Sequence, residues 1–343
     1  MKKILCVMLA AAMMACTLAG CGGEQSTERA DETPPPVELH LAGSIASTHP
    51  MWDVLHGFAD AVAEQSNGTI EIVLDLNGVM GSDREMTEAL MNGSLAFAMI
   101  SDMGMTGAIP EIGYLNLPYL FKDVQEQEDI YFYGWMGEML AETLDSYGIK
   151  LCGSVFECDF RGLTNSKHAV VNPEDMVGLK LRVPENQMYV KFFEALGCQP
   201  TAMAITEVAS ALQQQVIDGQ DNGPCVTTSY NFQDFNKYIT KTNHAQTGMA
   251  LVGSKTVFET LTAEQQELLD NLFDEYTLKG QEATLAYIED AYAMMEDAGC
   301  EISEPSEALQ AKFKEVAMEI WNDTSITDKF TPAAMERILS ELT

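Results

Sequence analysis

Apolar and polar residues alternate with period two in Val37-Glu38-Leu39-His40-Leu41 and again in Ile70-Glu71-Ile72-Val73-Leu74. That spacing predicts two strands with one face buried. Between them Leu55, Phe58 and Val62 recur at helical spacing, with Thr48 and Pro50 as start signals and Gly68 as the stop. Residues 83–92 read as a second helix closed by Gly93, and the apolar run 96–101 as a third strand. A β-α-β-α-β start of this kind predicts a mostly parallel sheet covered by helices. The pattern continues with a helix over 126–147, a strand over 149–155, and a strand over 179–183 stopped by Pro184. Then come helices over 186–196 and from Thr206 to Gln214, and a strand over 216–221. The last hundred residues read as mostly helical. Leu268, Leu269, Leu272 and Tyr276 make one stripe, which runs on towards Met295. The chain is therefore α/β first and helix-rich at its end, with no internal repeat.

The first residues depart from this pattern. Lys2 and Lys3 precede an apolar stretch over 4–17, which is followed by Leu18-Ala19-Gly20-Cys21. The stretch is a secretory signal, too short for a membrane span. Small residues ahead of a cysteine resemble a bacterial lipobox, which implies cleavage before Cys21 and a lipid on it. Ordinary cleavage beside an incidental cysteine is the alternative. Residues 22–36 hold Gly22, Gly23, four acidic residues and Pro34-Pro35-Pro36, and read as a tether. The folded body starts near Val37, and no later run of eighteen apolar residues exists. The expected location is outside the cytoplasm, on the membrane face.

Composition narrows the function. The 343 residues include 19 basic and 52 acidic side chains, a net charge of −33, with 46% apolar residues. Such a chain can bury a core, and it lacks the basic stripe that nucleic-acid binding needs. Beyond the signal, Cys152, Cys158, Cys198, Cys225 and Cys300 form an odd, widely spaced set without a CxxC. They are read as free buried thiols, consistent with a reducing or anoxic habitat, rather than as a disulfide framework or zinc site. Enzyme motifs such as HExxH, G-x-S-x-G and phosphate-binding glycine loops are missing, and no metal or cofactor is expected. His49 and His56 lie seven apart; packing or surface roles outweigh a metal pair, because no third ligand follows at regular spacing. Arginine is scarce, at Arg29, Arg84, Arg161, Arg182 and Arg337. Arg182 sits on the apolar strand Leu181-Arg182-Val183 before Pro184, placed to offer a two-pronged donor to a carboxylate in a cleft. An internal salt bridge is the equal alternative.

Longer motifs then supply a resemblance. Phe160-Arg161-Gly162-Leu163-Thr164-Asn165, Gly178-Leu179-Lys180-Leu181-Arg182-Val183-Pro184, Ala195-Leu196-Gly197 and Val216-Ile217-Asp218-Gly219-Gln220-Asp221-Asn222 stand in order. Met80-Gly81-Ser82-Asp83-Arg84-Glu85, Gly93-Ser94-Leu95 and Leu117-Pro118-Tyr119-Leu120-Phe121 precede them. The set resembles the solute-binding subunit of tripartite ATP-independent periplasmic (TRAP) transporters, the dicarboxylate-binding-protein type, over roughly residues 37–303. The resemblance implies a two-lobed binding protein, joined by hinge segments and a long helix, that closes on a small organic carboxylate and delivers it to membrane subunits. It implies residues 37–158 with about 248–287 for lobe 1, and 159–247 with about 288–343 for lobe 2. It places the carboxylate-binding arginine at Arg182, a second at Arg161 and an orienting asparagine at Asn222, with Ser44, Asp83 and Ser101 on the first lobe.

The chain departs from the family's pattern in places. Ile205 replaces an aromatic residue, Glu207-Val208-Ala209 lacks the family's tyrosine, and E-N-P becomes Asp221-Asn222-Gly223 with Pro224 one place late. Glu185 stands beyond Arg182 and could accept ligand hydroxyls. The altered, roomier pocket favours a hydroxylated monocarboxylate, such as a sugar acid, over a C4 dicarboxylate. A ligand-sensing receptor of the same fold feeding a signalling partner is the alternative function.

Overall fold

The computed structural model describes residues 35–342. The predicted signal, Cys21 and nearly all of the tether lie outside the described residues. Strands β1 (Val37–Gly43), β2 (Ile70–Asp75), β3 (Phe97–Ser101), β4 (Ile149–Phe156), β5 (Gly162–Asn165), β6 (Lys180–Val183), β7 (Gln199–Ala202), β8 (Gly219–Asn222), β9 (Tyr238–Thr240), β10 (Gly248–Ser254) and β11 (Glu301–Ser303) form two sheets. Their orders are β2-β1-β3-β10-β4 and β11-β9-β5-β8-β6-β7. This is the two-lobed α/β fold that the motifs imply.

The first three strands are parallel, as their helical crossovers require: β1 pairs with β2 and β3. The expectation of a mostly parallel sheet fails beyond them. β10 enters from the second sheet through an extended segment rather than a helix, and it runs antiparallel to β3 and β4. The second sheet is mixed in the same way, with β6 parallel to β7 and β8 and β5 antiparallel to β8 and β9.

Both faces of the first sheet are covered. Leu39 and Leu41 face Phe58, Val62 and Phe273, on the helices Met51–Gln65 and Ala263–Asp297. Ala98 and Ile100 face Met86, Leu90 and Leu140 on the opposite side. The helix Asp83–Met91 starts at a capping box: Glu85 N–H donates to Ser82 Oγ (3.3 Å), and Ser82 N–H donates to Glu85 Oε2 (2.8 Å). That box fixes Asp83 at the first helical position.

The helix expected over 126–147 is interrupted. A π-helical turn, Glu128–Phe132, precedes an extended Gly134, and a new helix runs Trp135–Ser146. A Cβ at Gly134 would lie 2.4 Å from Asp129 O, so the turn requires glycine. The helix expected from Thr206 begins at Ile205 instead, where Glu207 accepts from Ala204 N–H (3.2 Å).

Two short segments and one helix connect the sheets. Residues 157–161 lead from β4 to β5, and 241–247 lead from β9 to β10. The 35-residue helix Ala263–Asp297 starts at a Thr262–Gln265 capping box. It packs on the first sheet as far as its middle, where Gln281 Nε2 donates to Ser154 O (2.8 Å). Farther along, Tyr287 meets Thr228 of the helix Pro224–Ser229 (3.4 Å). After the helix Glu307–Trp321, the chain end packs against elements on the first sheet's side. Thr331 N–H donates to Glu111 O (2.9 Å), Arg337 stacks 4.4 Å from the Trp135 ring, and Phe330 fills the space left by Gly113. These contacts draw residues 330–337 back to the first sheet's helices.

Candidate functional site

The carboxyl ends of strands from both sheets face a common cleft, the usual ligand position in open α/β sheets. Ser44 follows β1 and Ser101 ends β3; Arg182 lies on β6 and Asn222 ends β8. The cleft has about 740 Å³ of empty space, its open mouth included. All eight residues expected at a ligand site line it: Ser44, Asp83 and Ser101 from the first sheet's side, and Arg161, Arg182, Glu185, Ile205 and Asn222 from the second's.

The two arginines are equally buried and differently occupied. Arg161 is 2% exposed and paired with two carboxylates of the protein. Its Nη1 donates to Glu157 Oε2 (3.0 Å), its Nε to Asp221 Oδ2 (3.1 Å) and its Nη2 to Asp221 O (2.6 Å). Burial alone would raise the Asp221 carboxyl, but the charge and hydrogen bonds of Arg161 and His244 hold it below its ordinary range. His244 Nε2 lies 3.4 Å from Asp221 Oδ2, and burial lowers its own pKa. Arg182 is 4% exposed, and its Nε donates to Met203 O (3.0 Å). Among the described residues no carboxylate lies within ion-pair distance of it. Burial pushes its pKa down to about 10, which leaves it a cation at neutral pH. Of the two readings open for Arg182, the internal salt bridge is the one the structure does not contain; for Arg161 it is the one it does.

The opposite wall is acidic and hydroxylic. Ser44 Oγ donates to Asp83 Oδ1 (2.9 Å). Burial pushes the Asp83 carboxyl up to about 7, against the Ser44 hydrogen bond. Gly104 makes room for it, since a Cβ there would sit 2.3 Å from Asp83 Oδ2. Asn222 Nδ2 donates to Gln220 Oε1, which sets the orientation of its amide. Two hydrogen bonds cross between the walls: Thr48 Oγ1 donates to Ser229 O (2.7 Å), and Tyr230 Oη donates to Ser44 O.

Among the other residues that line it, three titratable ones were not anticipated: His49, Glu157 and Tyr230. His49 is buried, and its Nδ1 accepts from Met51 N–H (3.2 Å). Burial pushes its pKa down to about 4, so it is neutral at pH 7. His56 is instead at the surface, bonded to Trp52 O (2.8 Å). The two histidines therefore form no metal pair, and no group of three or more candidate metal ligands exists among the described residues. The usable signal for His49 was its place between Thr48 and Pro50 at a helix start.

The profile of the family described as bacterial extracellular solute-binding protein, family 7, matches residues 41–328. The chain belongs to that family. A solute-binding protein of Verminephrobacter eiseniae is 32% identical over 214 residues, 62% of this chain and 63% of the relative. The C4-dicarboxylate-binding periplasmic protein of Rhodobacter capsulatus is 26% identical over 291 residues, covering 84% of this chain and 86% of that one. The chain thus spans a little under two thirds of the length of the first curated relatives it matches. Among solved structures, the sugar acid binding protein of Advenella mimigardefordensis in complex with galactonate superposes with a TM-score of 0.83 at 26% identity. That match covers 89% of this chain and 97% of the other. The members of the family and its structural neighbours are substrate-binding proteins and not enzymes, and the family is extracytoplasmic. No helix among the described residues is long and apolar enough to cross a membrane.

Proposed function

We propose that the protein captures a polyhydroxylated monocarboxylate of the sugar-acid class and delivers it to a TRAP-type membrane transporter. The observation that carries this reading is Arg182, a buried guanidinium in the cleft with no carboxylate of its own. Arg161 is already neutralised by Glu157 and Asp221, so the cleft has capacity for one ligand charge. Arg182 takes the ligand carboxylate through two parallel N–H···O bonds, beside Arg161 and the Asn222 amide. Asp83, Glu185, Ser44 and Ser101 accept from or donate to the ligand hydroxyls, and Ile205 packs against its carbon chain. A second carboxylate on the ligand would face Asp83 and Glu185, which disfavours dicarboxylates. Galactonate in one structural neighbour fits this chemistry better than the dicarboxylate of the Rhodobacter relative.

The ligand selects the closed state, because only there do both walls touch it. The lobes we assign are residues 37–158 with about 248–287, and 159–247 with about 288–343, the latter with a tail that returns to the first. The body hangs from the membrane by a lipid on Cys21, reached through the tether. A thermal-shift panel tests the ligand class: galactonate and related aldonates or uronates raise the melting temperature, whereas succinate and malate do so weakly. Stabilisation by succinate or malate and by no sugar acid would overturn the assignment. Co-purification with transporter membrane subunits tests delivery, and the mass of the N-terminal peptide tests the lipid.

A further inference from the structure

We propose that Cys158 and Cys225 form a disulfide when the exported chain folds in an oxidising compartment, a modification site built into the wall of the cleft. Of the five described cysteines, three turn their thiols to backbone carbonyls. Cys152 donates to Lys150 O (3.8 Å), Cys198 to Met176 O (3.2 Å) and Cys300 to Asn236 O (3.5 Å). Cys158 and Cys225 meet each other. The Cys225 N–H donates to Cys158 Sγ at 2.9 Å, which brings the sulfur of one cysteine against the backbone of the other.

The backbone is shaped for this approach. A Cβ at Gly223 would lie 2.8 Å from both Cβ and Sγ of Cys158. Only glycine leaves Cys158 the space to reach Cys225, so the departure from E-N-P at Gly223-Pro224 and the cysteine pair belong to one arrangement. Both residues adjoin the cleft's lining. Glu157 precedes Cys158, while Asn222 and Val226 flank Cys225. The bridge would close a chain separation of 67 residues that carries β5, β6, β7 and β8.

The chemistry is a two-electron exchange with an oxidised dithiol protein or oxidised glutathione as acceptor. One cysteine, as thiolate, attacks the acceptor's disulfide and releases a thiol. The second thiolate then attacks the resulting mixed disulfide and releases the other. The pair loses two protons and two electrons and gains one Sγ–Sγ bond. Cys158 is 2% exposed and Cys225 fully buried. Burial, with the Cys225 thiol beside it, raises the Cys158 thiol well above its ordinary range. The exchange therefore belongs to the folding chain, before the helix Pro224–Ser229 packs down.

The test is to refold the reduced, full-length exported chain in a glutathione redox buffer. Free thiols are then alkylated in denaturant, and a non-reducing digest is mapped by mass spectrometry. A linked Cys158–Cys225 peptide about 2 Da lighter than the sum of its two halves is expected. Cys152, Cys198 and Cys300 should be alkylated, and the linked form should melt several degrees above the reduced one. Alkylation of both Cys158 and Cys225 after refolding would overturn the proposal. So would a Cys158→Ser variant in which Cys225 is found linked to another cysteine rather than free.

Discussion

The second-sheet wall of the cleft and the first-sheet wall use charge in opposite ways. On the second, two guanidiniums line the cleft in buried positions, one tied down by Glu157 and Asp221 and one left with a single carbonyl partner. On the first, a buried carboxyl sits beside a serine hydroxyl and is pushed towards neutrality. The difference shows that burial does not specify a role by itself. A buried charge whose partners come from the same chain holds the fold, and one whose partners are missing waits for a ligand.

The sharpest break of this contrast is to exchange the expected phenotypes of the two arginines. Arg161→Ala leaves Asp221 and Glu157 buried and unpaired and should cost about 3–5 kcal/mol of stability. Thermal or denaturant unfolding measures it. A fall in affinity with stability intact would show that Arg161 is the ligand's arginine. Arg182→Ala should instead weaken sugar-acid binding about 100-fold, the scale of two lost charge-assisted bonds, with unfolding little changed. Calorimetry showing unaltered binding would refute the assignment.

The acidic wall gives a pH signature. Between pH 6 and 8 the ionisation of Asp83 should steepen discrimination against succinate relative to galactonate, and Asp83→Asn should abolish that slope and reduce the selectivity about tenfold. The same group affects stability. Its folded pKa, about 7, exceeds its ordinary 3.8, so the native state binds the extra proton. Its contribution is complete below about pH 4 and is lost as pH rises through about 7. Asp83→Asn should therefore flatten the fall of melting temperature from pH 5 to pH 8. The smallest effect belongs to the link between the walls: Tyr230→Phe removes a single neutral hydrogen bond to Ser44 and should cost only a few-fold in affinity.

Legibility followed the strength of local pattern. β1 and β2 alternate because Glu38, His40 and Glu71 are exposed between the buried Leu39, Leu41, Ile70 and Ile72. β10 is buried along its whole length, so Gly248–Ser254 carries no alternation to read. β7 is the reverse case, polar and mostly exposed at the sheet edge, while β9 and β11 have three residues each. The parallel prediction failed at β10 because strand direction there is set by a connection through the other sheet, a long-range fact. In the site, Arg182 was visible because arginine is rare and the strand around it is apolar. Glu157 was hidden among 52 acids. His49 and Tyr230 follow from where two loops meet in space, which no local spacing encodes. Gly134 was present as a signal of the helix break and was outweighed by the helical residues around it.

The helix Ala263–Asp297 has a mechanical consequence. Its 35 residues make a rod of roughly 50 Å, whose hydrogen-bonded backbone bends far more readily than it stretches. It is anchored to Ser154 through Gln281 and touches Thr228 through Tyr287. Separation of the two walls is thus governed by leverage about a stiff beam. A few degrees of flexure near its middle would become ångströms of travel at the mouth of the cleft.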